Sequence, residues 1–297
     1  MVAVAVAGGG GGIGSDIAQA ILKTKKHSLI VLSRSAQPNL TLQGVDVHIV
    51  DYSSVEQLTS SLKGIHTVIS CIAAYGNTST ASELALLEAA KQAGAIRFVP
   101  SEWNSDCHDI VQLYAGKSIV WKAVRSSGLE YTRFTNGLWM NVWGPGCVAD
   151  EEKALGAYGK RPAFAIDLKA GTAIIPGDAS QKVVVTRTQD VGTYVAAALD
   201  LPKWEAESRI VGDRLSFGEV VELAKTVCGK ELHVTNLSVE DLEGLLEGGL
   251  DDGERFYYQL LLAVAVGRMD FEPTLNELCP GVEPVLVSEY FKKHWVG

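Results

Sequence analysis

The most constraining feature of the sequence is a run of five glycines that lies directly between a strand pattern and a helix pattern. An alternating apolar stretch at 2–6 leads into glycine at 8–12, and a helical pattern occupies 16–22. A flexible linker has no reason to interrupt a strand–turn–helix unit. A phosphate-binding turn does require glycine there, because backbone N–H groups and the positive helix end attract an anion that side chains would block.

Two dinucleotide-binding spacings fit this turn, and they share Gly11 and Gly14. One begins at Gly9 as Gly-x-Gly-x-x-Gly, and the other begins at Gly8 as Gly-x-x-Gly-x-x-Gly. In both, the flanking strand and helix supply the context that the motif needs. We expect Gly8, Gly11 and Gly14 to be fixed and Gly9, Gly10 and Gly12 to occupy variable places. The predicted cofactor contacts of the turn are Gly8, Gly10, Gly11, Gly12, Ile13 and Gly14.

The end of the second predicted strand indicates which dinucleotide is bound. A site for NAD usually places Asp or Glu about 20 residues beyond the glycines, where the carboxylate binds the ribose hydroxyls. Here the strand ends in Ser33-Arg34-Ser35, without a carboxylate. An arginine pairs well with a 2′-phosphate, which an acidic residue repels. The sequence therefore predicts NADP(H), with Ser33 and Arg34 among its contacts.

Residues 1 to about 135 alternate between short β-branched runs and stretches of helical period. Such alternation is typical of right-handed βαβ units, whose parallel sheet is covered by helices on both faces. We therefore predict an α/β fold built on a Rossmann-type doubly wound parallel sheet. The predicted strands cover 2–6, 28–32, 46–50, 67–71, 97–100 and 130–134. The predicted helices cover 15–23, 54–62, 83–93 and 118–126.

Beyond about 135 this rhythm breaks. The aromatic and turn-rich stretch 136–146 predicts a long loop, and a helix at 190–199 predicts a return to the main sheet. We predict a dinucleotide-binding domain at 1–150 together with about 182–212. A smaller, partly discontinuous substrate region then covers about 151–181 and 213–297. The remaining predicted elements are strands at 172–175, 182–186 and 208–211 and helices near 217–227, 239–247, 253–266 and 287–294.

Composition excludes several classes of function. The net charge of −9 argues against nucleic acid or an anionic membrane as the main partner. No apolar run reaches the roughly 18 residues of a membrane span, and neither a signal peptide nor a metal-ligand spacing is present, so we expect a cytoplasmic protein without a metal. The five cysteines are scattered and odd in number, which predicts free thiols.

Six stretches of the chain resemble the atypical short-chain dehydrogenases that include isoflavone-reductase-like enzymes and NmrA-like proteins. These stretches are 7–14, 44–52, 68–73, 89–102 with its Pro-Ser-Glu end, 117–134 and 184–198. The resemblance implies a Rossmann fold, NADP(H), a small-molecule substrate, and a monomer or homodimer. It also implies further cofactor contacts at Cys71, Ala73, Pro100, Ser101 and Lys117.

The catalytic lysine of the resembled reductases lies on a helix, eleven residues before the glycine that ends it. Counting back from Gly128 reaches Lys117, which the resemblance therefore implies as the catalytic residue. The Tyr-x-x-x-Lys pattern of ordinary short-chain dehydrogenases is absent, since Tyr114 is one residue too close. The chain departs from the family with Trp103-Asn104 in place of Phe-Gly, and with Trp121-Lys122 in place of Arg-Arg. Both departures lie near the expected active site and concern the substrate.

A lysine serves such a reaction in two ways. With a lowered pKa it removes a phenolic proton or protonates an enolate, and when charged it stabilises an oxyanion or binds the ribose. The acidic stretch around His108 is interpreted as a polar loop. His108 is a minor acid–base candidate within it. A substrate wall is predicted from aromatic and polar residues that could equally pack the interface between the two regions. These residues are Trp103, Asn136, Trp139, Met140 and Trp143.

Two classes of function remain open. The first is an NADPH-dependent reductase that transfers a hydride to a small aromatic or unsaturated metabolite, such as an enone, quinone or ketone, in secondary metabolism. The second is an NmrA-like regulatory protein that senses the dinucleotide without hydride transfer. A narrower variant of the first is an isomerase or dehydratase on the same fold. Lys117 favours the enzyme, because a sensor has no need of a catalytic lysine.

Overall fold

The computed structural model describes residues 1–73 and 76–297. Its main sheet is fully parallel with the order β3-β2-β1-β4-β5-β6. This is the order of doubly wound sheets, in which the reversal between the first and fourth strands opens a crevice at the carboxyl ends. The predicted fold class is confirmed. The strands are β1 (Ala3–Ala7), β2 (Ser28–Ser33), β3 (Asp46–Ile49), β4 (Thr67–Ser70), β5 (Arg97–Val99) and β6 (Glu130–Tyr131).

Helices cover both faces of this sheet because alternate residues of each strand face opposite sides. In β1, Val4 and Val6 pack on one face of the sheet in the same apolar cluster as Ile17. Ala5 and Ala7 pack on the opposite face in a second apolar cluster. Both faces are therefore buried, which explains the continuous apolar runs in the sequence. The helices of this part are α1 (Gly12–Thr24), α2 (Pro38–Leu42), α3 (Val55–Ser61), α4 (Gly76–Gln92) and α5 (Ala115–Arg125).

A later part of the chain returns to the main domain. Strand β7 (Arg133–Thr135) pairs in parallel with β12 (Glu207–Arg209), and α7 (Thr188–Ala198) packs on α1. The helices approach closely at Gly192, where a Cβ atom would lie 2.6 Å from the carbonyl oxygen of Asp16. Strand β11 (Lys182–Thr186) pairs with β13 (Asp213–Ser216) and β8 (Leu138–Trp139).

The smaller region contains two three-stranded sheets, with orders β14-β10-β9 and β13-β11-β8. Its helices begin at strong caps, since Ser216 and Ser238 each form a capping box with an acidic residue three positions later. The strands are β8 (Leu138–Trp139), β9 (Ile166–Asp167), β10 (Thr172–Pro176), β13 (Asp213–Ser216) and β14 (His233–Leu237). The helices are α6 (Glu151–Leu155), α8 (Phe217–Cys228), α9 (Val239–Leu246), α10 (Asp252–Ala265), α11 (Leu275–Leu278) and α12 (Val287–Trp295).

The predicted loop at 136–146 includes β8 and a turn of 3₁₀ helix at Met140–Trp143. Met140 and Trp143 point into the core of the smaller region, where they are 0% and 1% exposed. The Trp143 ring makes edge contacts with Phe217 and Phe291. Helices α8 and α12 pack on the Trp143 ring, and the burial of both residues favours core packing, the alternative left open for them, over a wall that faces a ligand.

Three expectations from composition can be compared with the described residues. None of the helices at 1–73 and 76–297 has the length and apolar character needed to cross a bilayer. All five cysteines are free thiols. The same ranges hold no group of His, Cys, Asp and Glu side chains arranged for a metal ion.

Candidate functional site

The glycine-rich turn joins β1 to α1, and two of its glycines are required by the packing of the chain. Gly8 has a φ of +80°, and a Cβ atom there would lie 2.7 Å from the carbonyl oxygen of Cys71. A Cβ atom on Gly14 would lie 2.4 Å from the carbonyl oxygen of Gly8. The turn is thereby pressed against the end of β4, as expected for fixed positions of a dinucleotide motif.

Gly11 and Gly12 lie on the open side of the turn, where a Cβ atom would meet nothing within 4 Å. Gly11 is the N-cap residue of α1 and offers no side-chain cap, and the first turn holds no acidic residue. The first backbone N–H groups of the helix are therefore free to face an anion. Open backbone beside unshielded donors fits the phosphates of a dinucleotide.

The remaining glycines of the turn leave less room for other residues than predicted from the sequence. Gly12 has a φ of +52°, which strains any other residue. A Cβ atom on Gly9 would lie 2.9 Å from the Val31 side chain, and one on Gly10 would overlap the amide of Gln37. The expectation that these three positions are variable is corrected: packing or backbone conformation restricts each. Ile13 turns its side chain into the core and reaches the turn only through its backbone.

Tyr52, at the end of the family-like stretch 44–52, links the turn to β2 by hydrogen bonds. The backbone N–H of Gly8 donates to the carbonyl oxygen of Leu32 at 2.9 Å and to Tyr52 Oη at 3.0 Å. Tyr52 Oη in turn donates to the same Leu32 oxygen at 2.8 Å. Burial raises the pKa of Tyr52 to about 12, so the hydroxyl stays protonated as a donor at neutral pH.

The end of β2 presents one cation beside the turn. Arg34 is exposed and forms no ion pair with any described residue. Ser33 is buried, and its Oγ accepts a hydrogen bond from Gln37 Nε2 at 3.0 Å. This arrangement leaves the guanidinium of Arg34 available to a negatively charged group at the edge of the crevice.

The Pro-Ser-Glu turn follows β5 and lies beside the end of β4. Ser101 Oγ donates to the carbonyl oxygen of Ile72 at 2.8 Å, and the Ser101 N–H donates to Glu83 Oε1 at 2.5 Å. Pro100 and Ser101 are buried, Cys71 is half-buried and Ala73 is exposed. These predicted cofactor contacts therefore gather at the carboxyl ends of two adjacent strands.

Lys117 lies under the same turn, on the first turn of α5. Its Nζ donates to the carbonyl oxygens of Ser101 at 2.9 Å and Glu102 at 2.5 Å, and lies 4.7 Å from the centre of the Tyr114 ring. The residue is 8% exposed. Lys117 thus lies beside the Pro-Ser-Glu turn, and its ammonium is hydrogen-bonded to the backbone of that turn.

Two buried carboxyl groups flank this ammonium. Burial raises the pKa of Glu83 to about 7, although the Ser101 N–H and the charge of Lys117 oppose the rise. Glu102 behaves differently: burial raises its pKa, but the hydrogen bond from His108 and the Lys117 charge outweigh burial and lower it below its ordinary value. His108 Nε2 lies 2.8 Å from Glu102 Oε2, and its Nδ1 lies 3.1 Å from Ser118 Oγ.

The aromatic residues next to this turn are mostly internal. Trp103 has a φ of +43°, a strained conformation for tryptophan, and its ring stacks on Phe134 with centroids 5.7 Å apart. Trp139 is half-buried and donates from Nε1 to the carbonyl oxygen of Trp103 at 3.1 Å. Asn136 is fully buried. Of the predicted substrate wall, only Trp139 keeps an appreciably exposed side chain.

The second family departure lies elsewhere. The ring of Trp121 makes an edge contact with the Tyr131 ring, with 5.4 Å between the centroids. The guanidinium of Arg133 lies 5.0 Å from the centre of the Trp121 ring. Tyr131 belongs to β6, the edge strand of the main sheet, and Arg133 belongs to β7, which pairs with β12. The ring of Trp121 therefore packs on these two strands.

The NmrA-like family model matches residues 2–258. Oxidoreductase BOA1 of Botryotinia fuckeliana is 37% identical over 239 residues, which cover 78% of this chain and 77% of that protein. The isoflavone reductase homolog A622-like of Nicotiana tabacum is 24% identical over 316 residues, covering 98% of this chain and 97% of that protein.

A solved structure shows the same fold. AtPrR2 with NADP+ and (+)pinoresinol superposes with a TM-score of 0.80 at 22% identity, over 98% of both chains. The resemblance found in the sequence is confirmed, because the family model spans most of the chain, including the glycine-rich turn, the Pro-Ser-Glu turn and α5. The chain belongs to the NmrA-like family.

Proposed function

We propose that the protein is an NADPH-dependent reductase of a small aromatic or unsaturated metabolite in secondary metabolism. The observation that carries this proposal is the open backbone of Gly11 and Gly12 at the start of α1. It lies at the same edge of the sheet as the Pro-Ser-Glu turn. The oxidoreductase names of the relatives support redox chemistry over other uses of a bound dinucleotide.

Three sets of residues suit the parts of NADPH. The N–H groups at the start of α1 suit the pyrophosphate, and Arg34 suits the 2′-phosphate. Cys71, Ala73 and Ser101 lie at the carboxyl ends of the central strands, where the nicotinamide half belongs in doubly wound sheets. The bound cofactor supplies a hydride to an electrophilic carbon of the substrate.

Lys117 is the residue proposed to manage charge in the reaction. Its ammonium, buried between two backbone carbonyls, places a positive charge beneath the Pro-Ser-Glu turn. A fixed cation in a poorly solvated place stabilises negative charge that develops on a substrate oxygen. The same contacts orient Ser101 and Glu102, so Lys117 also positions the turn that borders the cofactor site.

The substrate class rests on Trp139 and on the relatives. Trp139 is half-buried beside the Pro-Ser-Glu turn, where a flat ring can stack on it. The compared structure holds (+)pinoresinol, and one relative is named for isoflavone reductase. Enones, quinones and ketones attached to aromatic rings are therefore the first substrates to test.

One observation favours the sensor as a second candidate. Lys117 contacts backbone carbonyls, so a non-catalytic dinucleotide-binding protein of this fold needs it as well. The presence of Lys117 therefore favours the enzyme over the sensor less strongly than the sequence alone indicated. The distinction lies in turnover, which only measurement supplies.

The test is to mix the purified protein with NADPH and a panel of aryl enones, quinones and ketones, and to follow the loss of NADPH absorbance. Turnover above a no-enzyme control supports the reductase. Tight NADPH binding without turnover on any substrate supports the sensor and overturns the reductase. Absence of NADPH binding overturns both.

A further inference from the structure

Gln37 occupies an unusual position at the start of α2. As the N-cap residue it accepts hydrogen bonds through its carbonyl oxygen from the N–H groups of Leu40 and Thr41, both at 3.0 Å. Its side chain makes no cap. The amide instead reaches back to the end of β2, where Nε2 donates to Ser33 Oγ at 3.0 Å.

The same amide rests on the glycine-rich turn. A Cβ atom on Gly10 would lie 2.3 Å from Gln37 Cδ and 2.6 Å from both Nε2 and Oε1. The amide plane therefore covers the position that any other side chain would fill. Glycine at position 10 is thus explained by contact with Gln37, and the two residues form a matched pair.

The space between the glycine-rich turn and the end of β2 has a defined use in doubly wound sheets. It receives the adenosine ribose, whose 2′ substituent is read by a carboxylate or a cation at the end of β2. In this chain the end of β2 carries Ser33 and Arg34 and no carboxylate. The amide of Gln37 is a polar group that contacts both the end of β2 and the glycine-rich turn.

We propose that Gln37 is a cofactor-binding residue whose side-chain amide contacts the 2′ position of the adenosine ribose, beside Arg34. This inference rests on the proposed function, since it requires a bound dinucleotide. An amide donates to a phosphate through Nε2 and accepts from a hydroxyl through Oε1, which has no partner among residues 1–73 and 76–297. Gln37 therefore accepts either NADPH or NADH, and Arg34 alone supplies the preference for the phosphate.

The structure separates this role from a purely structural one. The start of α2 is capped by backbone, so loss of the Gln37 side chain leaves those hydrogen bonds in place. Ser33 Oγ keeps a second contact, because it also accepts from the Ser35 N–H at 3.3 Å. Gln37→Ala is thus expected to fold with an unchanged melting temperature, which checks the fold independently of binding.

The first experiment measures dissociation constants for NADPH and NADH directly, by calorimetry or quenching of protein fluorescence. Gln37→Ala should weaken both by about 3- to 10-fold, the effect of one lost hydrogen bond. Gln37→Glu should weaken NADPH at least about tenfold while NADH is retained or improved, because a carboxylate repels the phosphate and accepts from the hydroxyls. The matched control is Gln43→Glu, an exposed site at the other end of α2, which should change both by less than about twofold.

The second experiment uses the contact with Gly10. A methyl group in Gly10→Ala displaces the Gln37 amide, so this variant should lose as much affinity as Gln37→Ala. The double variant should lose no more than either single variant, since both remove the same contact.

Three results overturn the inference. The first is that both dissociation constants of Gln37→Ala lie within twofold of wild type, the second is a Gln37→Glu effect no larger than that of Gln43→Glu, and the third is additive losses in the double variant. Failure of the proposed function looks different, because the wild-type protein itself then binds neither dinucleotide.

Discussion

Glu83 and Lys117 hold the same residue from opposite sides. Glu83 Oε1 lies 2.5 Å from the N–H nitrogen of Ser101, and Lys117 Nζ lies 2.9 Å from the carbonyl oxygen of Ser101. Both side chains are at least nine-tenths buried. The Pro-Ser-Glu turn is therefore held by two ionisable groups, and its geometry should depend on the protonation of Glu83.

The first prediction concerns Glu83 and pH. Burial raises its pKa from 4.5 to about 7, so the native state retains a proton that the unfolded chain releases. The Glu83 contribution to the free energy of unfolding is fully present below about pH 4.5 and is lost as the pH rises through about 7. Glu83→Gln still accepts from the Ser101 N–H but cannot ionise. Its free energy of unfolding should therefore lack this fall, which amounts to a few kcal/mol at most.

Urea denaturation of wild type and Glu83→Gln at intervals from about pH 5 to pH 8 measures this difference. Contributions from other titrating groups cancel, because both proteins share them. Parallel curves over this range would show that Glu83 titrates in the native state as it does in the unfolded chain.

The second prediction concerns Lys117. Lys117→Met keeps the length of the side chain but leaves the buried carbonyl oxygens of Ser101 and Glu102 without a donor. We expect a loss of about 2–4 kcal/mol in the free energy of unfolding, together with a large loss of turnover. Lys122→Met is the matched control, since Lys122 is exposed on the same helix and should change stability by less than about 0.5 kcal/mol. Equal stability of both variants would contradict a holding role for Lys117.

The third prediction concerns Arg34. The guanidinium is exposed at the end of β2 and forms no ion pair within the described part of the chain. Arg34→Ala should weaken NADPH by about 10- to 100-fold, as expected for loss of a charged hydrogen bond, and leave NADH within about twofold. Titration of protein fluorescence with each dinucleotide measures this. Equal losses for the two would mean that Arg34 does not read the 2′-phosphate, and Arg125→Ala, at an exposed residue packed on Trp121, controls for the loss of one positive charge.

The architecture could be predicted because each βα unit carries its signal locally. The period of the apolar residues distinguishes strands from helices, and the glycines mark where β1 passes into α1. The spacing of the resembled family singled out Lys117 on its helix. Its hydrogen bonds to two backbone carbonyls did not follow from that spacing, since spacing along a helix says nothing about the partner of a side chain.

The missed residues depend on contacts between distant parts of the chain. Glu83 meets Ser101 across 18 residues, and Tyr52 meets Gly8 across 44. Glu83 lies in a stretch predicted as a helix, and Tyr52 ends the family-like stretch 44–52, but neither pattern indicates the partner of the side chain. Trp143 illustrates an ambiguity of another kind. An aromatic residue in a turn-rich segment suits a binding wall or a core equally well, and here its ring packs against the later helices α8 and α12.

The last prediction separates glycines that serve folding from glycines that serve binding. Gly14→Ala places a methyl group 2.4 Å from the backbone oxygen of Gly8, which must shift, so we expect a loss of about 1–3 kcal/mol in the free energy of unfolding. Gly11→Ala meets nothing within 4 Å and sits at a φ of −168°, which any residue adopts. Its stability should stay within about 0.5 kcal/mol of wild type.

The effect of Gly11→Ala on binding should be much larger than its effect on folding. The methyl group stands where an anion approaches the N–H groups of α1, so NADPH affinity should fall at least about tenfold. Thermal melting with and without NADPH, together with a dissociation constant for each variant, separates the two effects. A Gly11→Ala protein that binds NADPH as tightly as wild type would place the phosphates elsewhere, and an unchanged melting temperature for Gly14→Ala would show that the turn yields at Gly8 without cost.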